Sequence, residues 1–322
     1  MKVFVAGATG AVGRPLVSAL IAAGHSVVGL TRTAAKAESV TRMGATPVIA
    51  DGLDAAAIKE AIDSSRPDVV IHEMTDLSGA SDLRHFDRTF ANSNQLRTRG
   101  TDILLAAAKE NGVKRFIAQS YCGWNYARTG NPIKTETDAL DPDPPVEFRA
   151  ALRAIQYLER AVIAPSNPEG IVLRYGSFYG PDTGMLSRVM VEPLRHRRVP
   201  LIGDGSGWWS FIHVDDAATA TVKALECGKP GIYNIADDDP AQVREWLPAL
   251  ARMLGAKQPF RLPIWIARIV AGEHLVVMMT QARAGSNAKA RTELGWAPAF
   301  PSWRQGFSEI ISRQTTGQRS AA

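Results

Sequence analysis

Cysteine is scarce in this sequence. Two residues, Cys122 and Cys227, stand in a chain of 322, too few for a disulfide framework, so a reducing cytoplasm is the expected location. Histidine is hardly more frequent. The six are scattered without metal-ligand spacing, and no metal site is expected. No charge-free apolar run reaches the length of a membrane span, and the N-terminus leads into strand-like sequence rather than a secretory signal, so no membrane partner is expected. A strong excess of one charge is also missing, because 37 Lys and Arg against 32 Asp and Glu leave a net charge of +5. The one dense basic cluster, Arg195-His196-Arg197-Arg198, carries no interleaved aromatics and no nucleic-acid motif. It reads as a solvated helix end, and nucleic acid is not an expected partner. There is no internal repeat. What is left, with 45% hydrophobic and 21% charged residues, has the composition of a soluble globular chain long enough for a large core.

What is present starts at once, with MKVFVAGATGAVG. Lys2 to Ala6 has the apolar, β-branched character of a buried parallel strand. It breaks into Gly7-Ala8-Thr9-Gly10-Ala11-Val12-Gly13, and a helical pattern from Pro15 to Ala23 follows. In such a turn Gly7 permits the tight exit from the strand, Gly10 lets backbone amides approach a pyrophosphate, and Gly13 lets the helix pack on the sheet. The helix N-terminus adds free donors and a positive dipole end. Gly7, Thr9, Gly10, Ala11, Val12 and Gly13 are therefore candidate dinucleotide-binding residues.

Strand and helix patterns then alternate. Ser26–Leu30, Thr46–Ala50, Asp68–His72, Arg115–Gln119, Gly170–Tyr175 and Gly231–Ala236 read as strands, and helices are expected near 34–43, 54–62, 96–111 and 147–163. The alternation predicts an α/β fold, a doubly wound parallel Rossmann sheet with a smaller C-terminal substrate lobe. We expect residues 1–181 and 200–235 in the nucleotide domain, and 182–199 and 236–322 in the lobe. After the second strand comes Thr31-Arg32-Thr33, with Lys36 one turn later, where an NAD site places an acid on the ribose 2′-hydroxyl. Cations there favour a 2′-phosphate, hence NADP(H) over NAD. The polar, proline-rich stretch from Arg128 to Pro145 reads as a loop over the nicotinamide end, Asp215 and Asp216 as caps of a helix starting at Ala217, and 313–322 as a frayed tail.

The GxxGxxG spacing resembles the extended and atypical short-chain dehydrogenase/reductase families. So do Gly100-Thr101-Asp102-Ile103-Leu104-Leu105, Leu173-Arg174-Tyr175-Gly176-Ser177-Phe178-Tyr179-Gly180-Pro181, Trp209 to Asp216, and the ending Asn287 to Pro298. The resemblance places Asp51 and Leu53 beside the adenine. It sets His72 among the cofactor residues, with a packed structural histidine as the alternative. It puts Ser120 at the nicotinamide, where these enzymes carry the Ser or Thr that bonds the substrate carbonyl. One part of the pattern is missing. The helix near 147–163 should carry Tyr-x-x-x-Lys, whose Lys lowers the pKa of a proton-exchanging Tyr, yet Ala151 and Ile155 stand there, and none of the six tyrosines is followed by Lys four residues on. The Asn that usually precedes Gly-Thr by three is Arg97.

The expected function is accordingly an atypical NADP(H)-dependent oxidoreductase for a small apolar carbonyl or conjugated substrate. Ser120 would be the carbonyl donor, Tyr121 a displaced proton donor and Tyr179 a second candidate. The alternatives are a nucleotide-sugar epimerase or dehydratase, and an NADP-binding sensor or non-redox isomerase or cyclase. A homodimer is the protein partner considered.

Overall fold

Seven runs rich in Val, Ile and Phe pair into one parallel sheet in the computed structural model, which describes residues 1–76 and 86–320. We label them β1 (Lys2–Ala6), β2 (Ser26–Thr31), β3 (Thr46–Ile49), β4 (Val69–His72), β5 (Arg115–Tyr121), β6 (Glu169–Tyr175) and β7 (Gly231–Ile235). Their order across the sheet is β3-β2-β1-β4-β5-β6-β7, each neighbour parallel. The winding reverses between β1 and β4, and the crevice beyond that switch point is where such sheets bind ligands.

Six helices cover the sheet: α1 (Gly13–Ala22), α2 (Ala34–Arg42), α3 (Ala55–Ser65), α4 (Thr101–Glu110), α5 (Arg149–Ile163) and α6 (Val214–Cys227). Strand side chains alternate between faces. Val3, Val5, Ile71, Ile117 and Leu173 pack against Leu16, Val17 and Leu20 of α1 and Ala217, Ala220 and Ala224 of α6. Phe4, Ala6, Val70, Phe116 and Val172 pack on the other face against Ile58 of α3, Leu104 of α4, and Leu158 and Val162 of α5. With both faces covered, the strands are mostly apolar on both sides rather than alternating with polar residues.

A separate apolar cluster gathers Trp209, Phe211, Trp246, Leu250, Trp303 and Phe307 around Tyr179. It draws on helices Arg188–Arg195, Val243–Met253, Glu273–Thr280 and Trp303–Ser320. Asp216 ties its last segment to α6 by accepting the backbone N–H of Ala299 at 2.8 Å and of Phe300 at 2.9 Å.

Several local expectations are corrected. Helix α6 begins at Val214, and His213 caps it by accepting the Asp215 N–H, so the carboxylate of Asp216 is free to hold the later segment. The helix Trp303–Ser320 runs through residues 313–320, which polar composition made look like a tail. Ile133–Lys134, within the expected loop, pairs with Ala284–Gly285. The helix expected from Leu96 starts at Ala91 and passes through a π-turn at Leu96–Gly100 before α4.

A buried ion pair fixes α5 to the sheet. Arg174 of β6 donates to both Glu159 oxygens at 2.7 Å, and the Ser120 hydroxyl donates to Glu159 Oε1 at 2.7 Å. Both charged side chains are under a tenth exposed, so removing one leaves a charge uncompensated in low dielectric. Arg174→Met should cost about 3–5 kcal/mol, read as a lower urea midpoint, and Arg174→Met with Glu159→Leu should recover most of that loss.

Candidate active site

The crevice is built on the turn after β1. Gly7 holds φ +100°, and a Cβ there would lie 2.7 Å from the Glu73 carbonyl oxygen at the end of β4. A Cβ on Gly13 would lie 2.1 Å from the Gly7 carbonyl oxygen. No side chain fits either place, so the turn folds tightly between β4 and the start of α1. Arg14 donates its N–H to the Gly10 carbonyl at 3.2 Å, Leu16 donates to that of Val12 at 2.9 Å, and Pro15 has none, so the amides of Ala11, Val12 and Gly13, which line the crevice, are the ones left to an anion.

Gly7, Thr9, Gly10, Ala11, Val12, Gly13, Arg32, Lys36 and Asp51, all expected as cofactor residues, line this cleft. Thr9 and Thr31 bring their hydroxyls within 3.5 Å across its floor. Lys36 is placed by Thr33, which caps α2. Arg32 is about half exposed and lies 3.6 Å from Asp76. Asp51 accepts the Leu53 N–H at 2.9 Å. Leu53 itself packs into the cluster under α3 and α4 and does not line the cleft.

Three more predicted residues are elsewhere. His72 is buried, with Nδ1 accepting the Met74 N–H at 3.2 Å and Nε2 lying 3.2 Å from the Leu96 carbonyl. Burial lowers its pKa to about 4, and both nitrogens are engaged, so it holds the end of β4 and is not a cofactor ligand. Ser120 projects to the α5 face and gives its proton to Glu159, so it is no carbonyl donor at the cleft. Tyr179 is fully buried among Phe307 and His213, and a Cβ on Gly306 would lie 2.5 Å from its hydroxyl oxygen. It belongs to the apolar core.

Tyr121 is the predicted catalytic residue still near the cleft. Alternation along β5 puts it on the side of Gln119, which lines the cleft. Its hydroxyl is 3.3 Å from Ser177 Oγ, beside the cleft residue Phe178. Burial raises its pKa above the ordinary tyrosine range, so it stays neutral and can donate. Its ring packs on the cluster of Phe86, Phe148, Ala151, Leu152 and Ile155. Ala151 and Ile155, where the resemblance leads us to expect Tyr and Lys, are thus part of an apolar wall, and Tyr121 packs against it.

Sequence reasoning missed Glu73. It lines the cleft, is 4% exposed and has Oε2 without a partner among the described residues. Its Oε1 is 3.1 Å from the Tyr175 hydroxyl, which is 2.6 Å from Thr221 Oγ1. Burial raises its pKa from 4.5 to about 8. No spacing rule marks an acid that follows a buried strand, and only the fold brings it beneath the phosphate turn. Among the described residues no group of His, Cys, Asp and Glu is arranged to hold a metal, and no helix is long and apolar enough to cross a membrane.

Comparison with known proteins places this geometry. The family model described as NAD dependent epimerase/dehydratase family matches residues 3–236. A 3-diazoavenalumate denitrifying reductase from a Streptomyces species is 42% identical over 310 residues, 95% of this chain and 99% of the relative. A 4-hydroxy-2-methyl-3-oxo-4-farnesyl-3,4-dihydroquinoline-1-oxide ketoreductase from Stigmatella aurantiaca is 28% identical, covering 99% of this chain and 98% of its own. Among solved structures, UDP-glucose 4-epimerase from Thermotoga maritima, with UDP-glucose, superposes with a TM-score of 0.76 at 24% identity, covering 98% of this chain and all of that one. The human epimerase family protein SDR39U1, with NADPH, gives 0.74 at 20% identity, covering 97% and 99%.

Glu73 makes stability depend on pH. A carboxyl whose pKa is higher folded than unfolded adds stability in acid that is lost as pH rises from the unfolded value to about 8. Glu73→Gln should match the wild type near pH 4.5 and unfold at a higher temperature than it at pH 8, with the gap opening between those values.

Proposed function

The chain belongs to the NAD dependent epimerase/dehydratase family, and on that footing we propose that it is an oxidoreductase moving hydride between NADP(H) and a small, apolar, conjugated acceptor. The observation that carries the reading is the apolar wall of α5. Ala151 and Ile155 are buried in aromatic packing where the family's proton relay would stand, yet the glycine turn is intact and two cations line the cleft.

In this reading the turn from Gly7 to Gly13 binds the diphosphate, and Arg32 and Lys36 take the 2′-phosphate. Asp51 borders the adenine end. The bound nicotinamide supplies the hydride chemistry. The acceptor lies between the nucleotide-binding half and a lobe formed by 182–199 and 236–322. Tyr121, held by Ser177 and the aromatic wall, gives a proton to an acceptor oxygen as hydride arrives at carbon.

A second reading is favoured by the same wall. The relative that is 42% identical is named for reducing a diazo compound with loss of nitrogen. For an acceptor in its arenediazonium form, hydride forms the new C–H bond, dinitrogen departs with the C–N bonding pair, and the hydride's charge cancels that of the cation. No oxyanion forms, so no proton donor is required and the loss of Tyr and Lys has no chemical consequence. Nucleotide-sugar chemistry fits less well, because it depends on the missing pair.

Two measurements test these assignments. Arg32→Glu should weaken NADPH binding at least tenfold, on the order of 1.4 kcal/mol or more, while leaving NADH binding within about threefold; equal losses for both would remove the 2′-phosphate assignment. Tyr121→Phe should lower kcat for an aromatic ketone by roughly a hundredfold and leave NADPH-dependent loss of nitrogen from an arenediazonium ion unchanged. Retained ketone turnover in that variant would exclude Tyr121 as the donor.

A further inference from the structure

His274 opens the helix Glu273–Thr280 and is 1% exposed. Neither of its ring nitrogens has a hydrogen-bond partner among the described residues. It stacks on Phe148 with centroids 4.6 Å apart and planes 15° from parallel, and meets the edge of Phe86 at 4.6 Å. Trp124 is the next ring, at 5.9 Å, and its Nε1 is also buried without a partner. Burial lowers the His274 pKa to about 3, so the imidazole is neutral and carries one N–H and one acceptor nitrogen.

Three orphaned polar atoms in one aromatic cluster require a physical reason, since each has given up its water without a bond in return. Phenylalanine at position 274 would pack without that cost. The cluster also adjoins the reaction end of the cleft, because the ring of Trp124 lies 4.9 Å from that of Tyr121. The unmet groups comprise two N–H donors, one on each ring, and one acceptor nitrogen. The two imidazole nitrogens point in diverging directions, so one oxygen meets only one of them; a hydroxyl group, with two lone pairs and one O–H, can accept the Trp124 N–H and also bond that one His274 nitrogen whichever way it is protonated.

We propose that His274 and Trp124 form the recognition site for a hydroxyl group on a planar aromatic substrate, whose ring inserts among Phe86, Phe148 and Tyr121. The inference rests on the oxidoreductase reading above and names its substrate class, a phenol conjugated to the acceptor group. Entry requires the rings to part. Their closed packing is weakened by the orphaned nitrogens themselves, which gain hydrogen bonds only when the ligand is in place.

The test uses the whole chain with NADP+ bound, so that no turnover intervenes, and two probes that differ by one hydroxyl, 4-hydroxybenzylideneacetone and benzylideneacetone. The wild type should bind the phenol at least tenfold more tightly by calorimetry. His274→Phe should abolish that preference, keep the NADP+ affinity, and unfold at a temperature no lower than the wild type. Trp124→Phe, which removes one donor and keeps a ring, should reduce the preference several-fold and serves if the first variant does not fold. A wild type without the preference, or a His274→Phe variant that keeps it, overturns the recognition site. Failure of the wild type to bind NADP+ or NADPH overturns the cofactor reading instead.

Discussion

The bidentate contact between Arg174 and Glu159 determines how the reaction end of the cleft is arranged. Two charges enclosed by α5 and the sheet must satisfy one another, and they take the Ser120 hydroxyl as a further donor. Adjacent residues of a strand face opposite ways. Once Ser120 is held on the α5 side, Tyr121 is turned to the cleft side with Gln119. A tyrosine there reaches Ser177, while its ring covers the small and aliphatic side chains of α5. The pair is also close to energetically neutral against a well-packed apolar substitute, so its value lies in fixing which β5 side chain faces the ligand.

The sheet and the phosphate turn were legible in the sequence because they rest on local rules. Gly7 and Gly13 are required by contacts with residues a few positions or one strand away, and the run from Lys2 to Val12 announces them. Arg32 and Lys36 were legible for the same reason, since a strand end followed by a helix start leaves little freedom in where those side chains emerge. Ser120 and Tyr179 were misjudged because a family motif fixes a place along the chain without fixing the direction a side chain takes. Ser120 lies one residue away from a cleft-facing position. Tyr179 lies on a short strand whose inner side is claimed by Phe307 and Gly306. Glu73 and His274 had no local signature at all. Each acquires its character from burial by segments distant in sequence, Glu73 from Tyr175 and Gly7, His274 from Phe86 and Phe148.

The polar groups at the two ends of the cleft differ in kind. At the nucleotide end, Glu73 Oε2 apart, they are paired or solvent-facing, as suits a charged ligand that arrives hydrated. At the reaction end they are few, enclosed and surrounded by rings, which suits a ligand whose surface is mostly apolar and whose specificity depends on one or two polar contacts.

The helix Trp303–Ser320 supplies Trp303 and Phe307 to a cluster whose buried members outside that helix are spread from Tyr179 to Ala282. Synthesis on the ribosome therefore releases the strands of the sheet, ending with β7 at Ile235, well before the second apolar cluster can close. A nascent chain passes through a stage in which one half is assembled and the other still displays Trp209, Phe211 and Trp246. Asp216 waits in α6 for the amides of Ala299 and Phe300, so a stretch that emerges well after the sheet is the clasp that ends this exposure. A chain cut short between β7 and Ala299 would have a finished sheet and an unsheltered tryptophan face, the form that quality-control proteases and holding chaperones select.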